Sequence, residues 1–127
     1  MVIFLVDDSK AMRDRLVSLV SELDDAIVIG QAENSREAME GITRLRPEVV
    51  ILDIQMPDGS GISLLKAVKQ EHSAPLVIML TNHTYPQYRE KCVKLGADFF
   101  LDKSQDFDRL HGILNDLIKR SSPQPIM

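Results

Sequence analysis

The feature that most constrains this chain is a fivefold alternation between short apolar runs and segments with the period of a helix. The runs are continuous rather than alternating, and they are rich in Val and Ile. They are Val2–Val6, Ile27–Ile29, Val49–Leu52, Leu76–Leu80 and the weaker Phe99–Leu101. Continuous runs of this kind are typical of strands that are covered on both faces, as in parallel sheets.

The segments between the runs carry apolar residues every three to four positions, which is the spacing of one helix face. The first of these faces comprises Met12, Leu16, Leu19, Val20 and Leu23, and the last comprises Phe107, Leu110, Leu114 and Leu117. The second helix is predicted to begin near Asn34 or Ser35 and to end before Pro47. The third is predicted over Ile62–Gln70 and the fourth over Pro86–Leu95, with Gly96 as its C-cap.

Strand and helix repeated five times predict an α/β protein in which right-handed crossovers build one parallel sheet. We expect a doubly wound, three-layer sandwich with five strands in the order 2-1-3-4-5 and helices on both faces. The length of 127 residues favours a single domain. We assign residues 1–120 to it and expect residues 121–127, rich in Ser and Pro, to form a flexible C-terminal tail.

Composition excludes several classes of protein. Fifteen Lys and Arg against nineteen Asp and Glu give a formal charge of −4, the opposite sign from a uniformly basic nucleic-acid binder. The single cysteine, Cys92, cannot form an internal disulfide. The apolar run Val2–Val6 is too short for a signal peptide or a membrane span. We therefore expect a soluble, cytoplasmic protein that neither inserts into membranes nor binds nucleic acid directly.

Polar residues whose side chains can take part in binding or catalysis follow four of the predicted strands. Asp7 and Asp8 follow the first strand, Asp53 the third, Thr81 the fourth, and Lys103 lies just beyond the fifth. In an open parallel sheet, ligands bind outside the carboxyl ends of the strands, where the strand order reverses. The predicted order makes the first and third strands neighbours, so the three aspartates should converge there.

Three converging carboxylates repel one another unless a cation or a proton lies between them. An all-oxygen site open to water suits Mg²⁺. Together with a lysine and a hydroxyl, such a site is equipped to handle a phosphoryl group. Asp53 is the favoured nucleophile, because adjacent Asp7 and Asp8 have the character of a metal-binding pair.

Simpler structural roles are open for the same residues. Asp7 and Asp8 could cap the first helix, Thr81 could cap the fourth, and Lys103 could be a solvated loop residue. Cys92 is predicted to be a small packing residue. The histidines lack metal-ligand spacing, and Tyr85, Tyr88 and Arg89 could form either a partner surface or a solvated face.

The same residues resemble the receiver domain of response regulators over nearly the whole chain, from Val2 to about Lys119. The resemblance rests on Asp7-Asp8, the stretch Leu52–Gly61, Thr81, and Gly96-Ala97-Asp98 leading to Lys103. It implies a flavodoxin-like (βα)5 fold in which Asp53 accepts a phosphoryl group from a sensor histidine kinase or a phosphotransfer protein.

The resemblance also implies a set of metal ligands. Asp8 and Asp53 would bind Mg²⁺ directly, Asp7 would act largely through water, and the backbone carbonyl of Gln55 would be a further ligand.

The resemblance implies a switch as well. Lys103 would contact one phosphate oxygen and Thr81 another, and Phe100 would move inward when Thr81 moves. A downstream protein would then bind the face formed by helix 4, strand 5 and helix 5. Phe100 would also be at least partly core.

Three departures from the usual family pattern stand out. Ser104 replaces the proline that usually follows the lysine, which leaves the path of the peptide after Lys103, cis or trans, open. Asn82 occupies a position where the family usually has a small residue. Gln55 and His83 lie where the family varies, and the resemblance implies that they tune how water reaches an acyl phosphate.

Other functions compete with a phosphorylation switch. The chain could be a binding adaptor that works without phosphorylation, or the receiver part of a longer regulator. An aspartyl-phosphate phosphatase or transferase is disfavoured, because such enzymes usually carry a second aspartate where this chain has Gln55. A flavin carrier is disfavoured because no Ser/Thr/Gly-rich loop follows the first strand. We expect a phosphoryl acceptor and not an enzyme that turns over external substrates.

Overall fold

The computed structural model describes residues 1–121 of the chain. Its strands are β1 (Val2–Val6), β2 (Ile27–Ala32), β3 (Val49–Leu52), β4 (Gln55–Met56), β5 (Gly59–Ser60), β6 (Leu76–Thr81) and β7 (Phe99–Asp102). Its helices are α1 (Lys10–Ser21), α2 (Ser35–Leu45), α3 (Gly61–Lys69), α4 (Pro86–Lys94) and α5 (Phe107–Ser121). Helix α5 extends one residue into the predicted tail, and residues 122–127 of that tail lie outside the described part of the chain.

Five parallel strands form one sheet in the order β2-β1-β3-β6-β7. When only these five strands are counted along the chain, β6 is the fourth and β7 the fifth, so the predicted order 2-1-3-4-5 is confirmed. The register pairs Val6 with both Ala32 and Leu52, and Thr81 with Asp102. Strands β2, β1 and β3 therefore end level with one another, whereas β6 and β7 run two residues further, since Leu52 pairs with Met79. The residues that follow all five strands still share one edge of the sheet.

Successive residues of each central strand point to opposite faces, and each face is covered by helices. One core joins sheet residues such as Phe4, Val50 and Met79 to α2, α3 and α4, and the other joins Ile3, Ile51 and Leu80 to α1 and α5. Strands buried on both faces cannot alternate apolar with polar residues. This arrangement explains the continuous runs in the sequence and confirms the flavodoxin-like three-layer fold.

The short strands β4 and β5 form an antiparallel hairpin between β3 and α3. This hairpin was not among the predicted elements. Each of its strands has only two residues, which is too few to show any periodic pattern. It lies directly after Asp53 and so forms part of the wall of the site described below.

The helix ends confirm the predicted start of α2 and correct other expectations. Ser9 caps α1, its Oγ accepting from the N–H of Met12 at 3.2 Å, and Asn34 caps α2. The N-cap of α4 is Tyr85, without a side-chain hydrogen bond, and its C-cap is Leu95; Gly96, predicted as the C-cap, follows with φ 99°. The alternatives in which aspartates cap α1 or Thr81 caps α4 are therefore wrong.

No described helix is both long enough and apolar enough to cross a membrane.

Candidate functional site

Asp7 and Asp53 extend two neighbouring strands by one residue each. The N–H of Asp7 donates to Ala32 O at 3.1 Å, and the N–H of Asp53 donates to Val6 O at 3.2 Å, so the backbone ladder holds both residues. Asp8 follows directly, and one carboxylate oxygen from each of the three aspartates lies within 4.8 Å of the others. The structure thus brings the three residues together as the sequence predicts.

The three carboxylates differ in their access to water. Asp7 is 2% exposed and Asp53 is 5% exposed, whereas Asp8 lies open to solvent. A buried carboxylate is costly unless it is paired and hydrogen-bonded. The site therefore has a closed inner end and an open side at Asp8.

Lys103 supplies the pairing charge at the inner end. Its Nζ lies 2.7 Å from Asp53 Oδ2 and 2.8 Å from Asp7 Oδ2, and its side chain is only 10% exposed. Burial by itself lowers the pKa of Lys103, but its hydrogen bonds to Asp53 and Asp7 and their negative charges outweigh this and raise it. Lys103 is therefore a fixed cation and not the solvated loop residue considered as an alternative.

Asp7 is oriented by two further contacts. Its Oδ1 accepts from the N–H of Ser9 at 2.9 Å, while its backbone carbonyl accepts from Nη1 of Arg13 at 2.7 Å. Nε of Arg13 donates to Oε1 of Gln31 at 3.2 Å, which ties α1 to the end of β2. Sequence reasoning missed Arg13. Its place one turn into the helix that follows the aspartate pair is the only signal that could have pointed to it.

Thr81 ends β6 beside the lysine. It is fully buried, its carbonyl accepts from the N–H of Lys103 at 3.0 Å, and its Oγ1 accepts from the N–H of His83 at 3.0 Å. A hydroxyl that accepts one hydrogen bond still has its own proton to donate. Thr81 therefore fixes the backbone of Lys103 and keeps a hydroxyl proton that it can donate.

Gln55 and His83 meet at the rim of the site. The N–H of Gln55 donates to Asp53 Oδ1 at 3.3 Å, and Oε1 of Gln55 lies 2.6 Å from Nε2 of His83. His83 lies in the β6–α4 loop, and its ring is engaged with this glutamine.

Gly61 allows the chain to pass close to the backbone of Asp53. A Cβ at this position would lie 1.8 Å from the carbonyl oxygen of Asp53, far inside any tolerated contact. The N–H of Gly61 donates to Ile54 O at 2.5 Å. Close approach of two backbones is therefore the reason that this position requires glycine.

Phe100, the predicted switch residue, is 7% exposed and belongs to the core that faces α4. The guanidinium of Arg89 lies 4.7 Å from the centroid of the Phe100 ring. Phe100 is thus already inside in this structure. Cys92 is fully buried in the same core, which fits a packing role, and burial raises the pKa of its thiol.

The loop after β7 is organised without the usual proline. The Lys103–Ser104 peptide is trans, like the other peptide bonds of the described residues. Asp102 Oδ1 accepts from the N–H of Ser104 at 2.7 Å, and Asp106 Oδ2 accepts from the N–H of Asp102 at 2.9 Å. Ser104 Oγ also donates to Asn82 Oδ1 at 3.3 Å, so two of the departures from the usual pattern contact each other.

The donor set fits a hard divalent cation. Carboxylate oxygens are the ligands that Mg²⁺ prefers, and exposed Asp8 leaves room for the waters that this ion usually keeps. Lys103 adds one positive charge to three negative ones, so the cluster still carries a net negative charge that favours binding a cation.

Five parallel strands, an acidic cluster at the switch point, and a buried lysine and threonine beside it define a class of signalling domain. The sequence matches the family of response regulator receiver domains over residues 3–115, and the chain belongs to that family, which serves two-component systems.

Two curated relatives show the range of proteins in which such a domain occurs. The chain is 35% identical over 92% of its length to the uncharacterized transcriptional regulatory protein YvfU of Bacillus subtilis, of which the match covers 58%. It is 33% identical over 91% of its length to a protein-glutamate methylesterase/protein-glutamine glutaminase of Methanococcoides burtonii, of which the match covers 33%. The chain thus spans about a third to three-fifths of the length of these relatives.

Solved structures of receiver domains have the same fold. The response regulator domain of CheB from Thermotoga maritima superposes with a TM-score of 0.82 at 28% identity, covering 98% of both chains. A DNA-binding response regulator of the LuxR family from Staphylococcus aureus gives a TM-score of 0.83 at 28% identity, covering 91% of this chain and 97% of that one.

Proposed function

We propose that Asp53 accepts a phosphoryl group from a histidine of a sensor kinase or a phosphotransfer protein. The observation that carries the proposal is the position of Lys103, whose Nζ lies within hydrogen-bonding distance of both buried carboxylates. A cation at the closed end of an acidic cluster is suited to neutralise a phosphoryl oxygen that arrives from the open side.

The chemistry is an in-line displacement at phosphorus. A carboxylate oxygen of Asp53 forms the new P–O bond while the P–N bond to the donor imidazole breaks, and the imidazole leaves with the electron pair. Asp8, Asp53 and the backbone carbonyl of Gln55 would hold Mg²⁺, with Asp7 acting through water, and this ion would neutralise charge on the phosphoryl oxygens. Lys103 would take a second oxygen and Thr81 would donate to a third.

A phosphoryl group on Asp53 would act at a distance through Thr81. Its charged oxygen offers the Thr81 hydroxyl a stronger hydrogen bond than any neutral partner. The movement of Thr81 would alter the packing around Phe100 and so change the face formed by α4, β7 and α5, where we place the downstream protein. A cytoplasmic location belongs to the same proposal, since the donor would be a signalling kinase.

The test is phosphorylation by a small acyl phosphate with Mg²⁺, followed by intact-protein mass spectrometry. Wild type should gain one phosphoryl mass, and Asp53→Asn should not. Asp24→Asn, which changes an exposed aspartate remote from the cluster, should be labelled like wild type, and removal of Mg²⁺ with a chelator should abolish labelling. Wild type that stays unmodified under saturating donor contradicts the proposal.

The burial of Phe100 favours a second candidate, an adaptor that binds its partner without phosphorylation. In a phosphorylation switch of this kind, Phe100 moves inward on activation, yet here the ring is already covered by Arg89. Equal partner affinity with and without a phosphoryl mimic would favour the adaptor. A role as the receiver part of a longer regulator, as in the transcriptional and methylesterase relatives, also stays a prediction.

A further inference from the structure

A chain of hydrogen bonds runs around the rim of the site, separate from Lys103. It starts at Asp53 Oδ1, which accepts from the N–H of Gln55 at 3.3 Å. The Gln55 side chain then meets His83 Nε2 at 2.6 Å, and the N–H of His83 donates to Thr81 Oγ1 at 3.0 Å. The proposed acceptor carboxylate and the proposed switching hydroxyl are thus joined through two intervening residues.

The link between Gln55 and His83 is the part of this chain that depends on side chains alone. Because Oε1 of the glutamine can only accept, Nε2 of the imidazole must carry the proton. The two residues are 28 positions apart and belong to β4 and to the β6–α4 loop. The ring of His83 also packs edge-on against Tyr88 of α4, with centroids 6.5 Å apart. The imidazole is therefore held from both sides.

We propose that the His83–Gln55 hydrogen bond is a latch that holds Thr81 in its resting position. The inference rests on the proposed function, because it concerns the step in which Thr81 turns to a phosphoryl group on Asp53. Thr81 is fully buried, so its hydroxyl cannot leave the N–H of His83 unless that N–H finds another partner or moves. The β6–α4 loop must therefore move with Thr81, and the bond to Gln55 resists that movement.

The latch would stabilise the resting state relative to the switched state. A hydrogen bond that exists in the resting state and is lost in the switched state shifts the equilibrium toward rest by its net contribution. For a neutral side-chain pair, this contribution changes the equilibrium constant between the resting and the switched state by about twofold to tenfold. Gln55 and His83 are positioning residues in this account, since they act on the phosphoryl group only through Thr81.

The test is a double-mutant cycle with beryllofluoride and Mg²⁺ as the phosphoryl mimic. Gln55→Met keeps the length of the side chain without an acceptor, and His83→Phe keeps a ring against Tyr88 without a donor. Each variant should bind beryllofluoride about twofold to tenfold more tightly than wild type, and the double variant should gain no more than either single one. His83→Gln, whose amide can donate to Gln55, should stay close to wild type.

Two readouts separate a latch from a general structural effect. The affinity for Mg²⁺ without the mimic should be unchanged in the His83 variants, because a latch acts only on the step after metal binding and His83 is not among the proposed metal ligands. Additive effects in the cycle, or unchanged affinity for the mimic in both single variants, would overturn the latch alone. Wild type that binds no beryllofluoride at all would overturn the proposed function, and the latch with it.

Discussion

Lys103 and Asp53 are 50 residues apart in the chain, and their side chains are joined by a hydrogen bond of 2.7 Å at the carboxyl edge of the sheet. The same ammonium also pairs with Asp7. Lys103 therefore pairs with two of the three carboxylates that we propose as the environment of Mg²⁺, and its single charge offsets one of their negative charges. Lysine and metal ion are competing cations for one acidic cluster.

This competition predicts that Lys103→Gln raises the affinity for Mg²⁺. Loss of one nearby positive charge from a mostly buried cluster should tighten Mg²⁺ binding by roughly tenfold, because close charge pairs of this kind contribute more than about 1 kcal/mol. Calorimetric titration with Mg²⁺ measures the change. Lys66→Gln, at an exposed lysine of α3, serves as the control and should bind Mg²⁺ like wild type. Unchanged or weaker binding by Lys103→Gln would show that the lysine does not compete.

The close approach of Gly61 to Asp53 predicts that a larger residue at position 61 destabilises the protein. In Gly61→Ala the new methyl group would lie 1.8 Å from the carbonyl oxygen of Asp53, so the backbone must shift. We expect a loss of about 3 kcal/mol in the free energy of unfolding, typical of severe overpacking, together with slower phosphorylation. Urea denaturation and the rate of labelling by the acyl phosphate measure the two effects.

Gly112 supplies the matched control for this substitution. It lies in α5 and is exposed, and a Cβ added there would meet no atom within 4 Å beyond the backbone of its own helix. Gly112→Ala should stabilise the protein by about 0.5–1 kcal/mol, because alanine restricts the unfolded chain and favours the helix. If both alanine variants had the same stability, the close approach at Gly61 would not matter.

Much of this architecture can be predicted from the sequence, because it depends on features that repeat locally. The five apolar runs became the five strands of the sheet, and residues at the strand ends had to share an edge once the order was fixed. The convergence of Asp7, Asp8 and Asp53 followed from topology alone.

Other features depend on side chains that meet only in the folded chain. The contact of His83 with Gln55 joins the β6–α4 loop to the β4–β5 hairpin, and neither residue type nor spacing indicates it. The hairpin β4–β5 was missed because two-residue strands have no period. Such contacts are set by tertiary packing and not by local propensity.

Asp58 also makes a contact that forms only in the folded chain. This contact predicts that the stability of the protein depends on pH. Its carboxylate accepts from the N–H groups of Ser35 and Arg36, at 2.8 and 3.1 Å, and so closes the N-terminus of α2 from another part of the chain. The hydrogen bond from the N–H of Ser35 has the largest effect and lowers the pKa of Asp58. Desolvation raises this pKa and so opposes the shift, whereas the hydrogen bond from the N–H of Arg36 lowers it further. The hairpin is therefore tied to α2 by a carboxylate that favours its charged form.

A carboxyl whose pKa is lowered on folding stabilises the protein above its ordinary pKa, and this contribution is lost as pH falls through the lowered value. Wild type should accordingly be more stable than Asp58→Asn at pH 7, and the difference should shrink below about pH 4. Chemical denaturation at several pH values measures it. Asp24→Asn, at an exposed aspartate, serves as the control for the loss of one surface carboxylate. A difference that grew on acidification would contradict the capping role.

Arg89 covers the ring of Phe100 from the solvent side, with 4.7 Å between the guanidinium carbon and the ring centroid. We expect this contact to stabilise the protein. Arg89→Met keeps an aliphatic cover over the ring but removes the charge, so it should cost about 0.5–1 kcal/mol of stability, as expected for an exposed cation–π pair. Lys91→Met, at an exposed lysine of the same helix, should change stability by less than about 0.5 kcal/mol. In a Phe100→Leu background the effect of Arg89→Met should disappear, because no aromatic ring remains to attract the cation. Urea denaturation of the four proteins completes the cycle, and an effect of Arg89→Met that persisted in the leucine background would show that the guanidinium acts on something other than the ring.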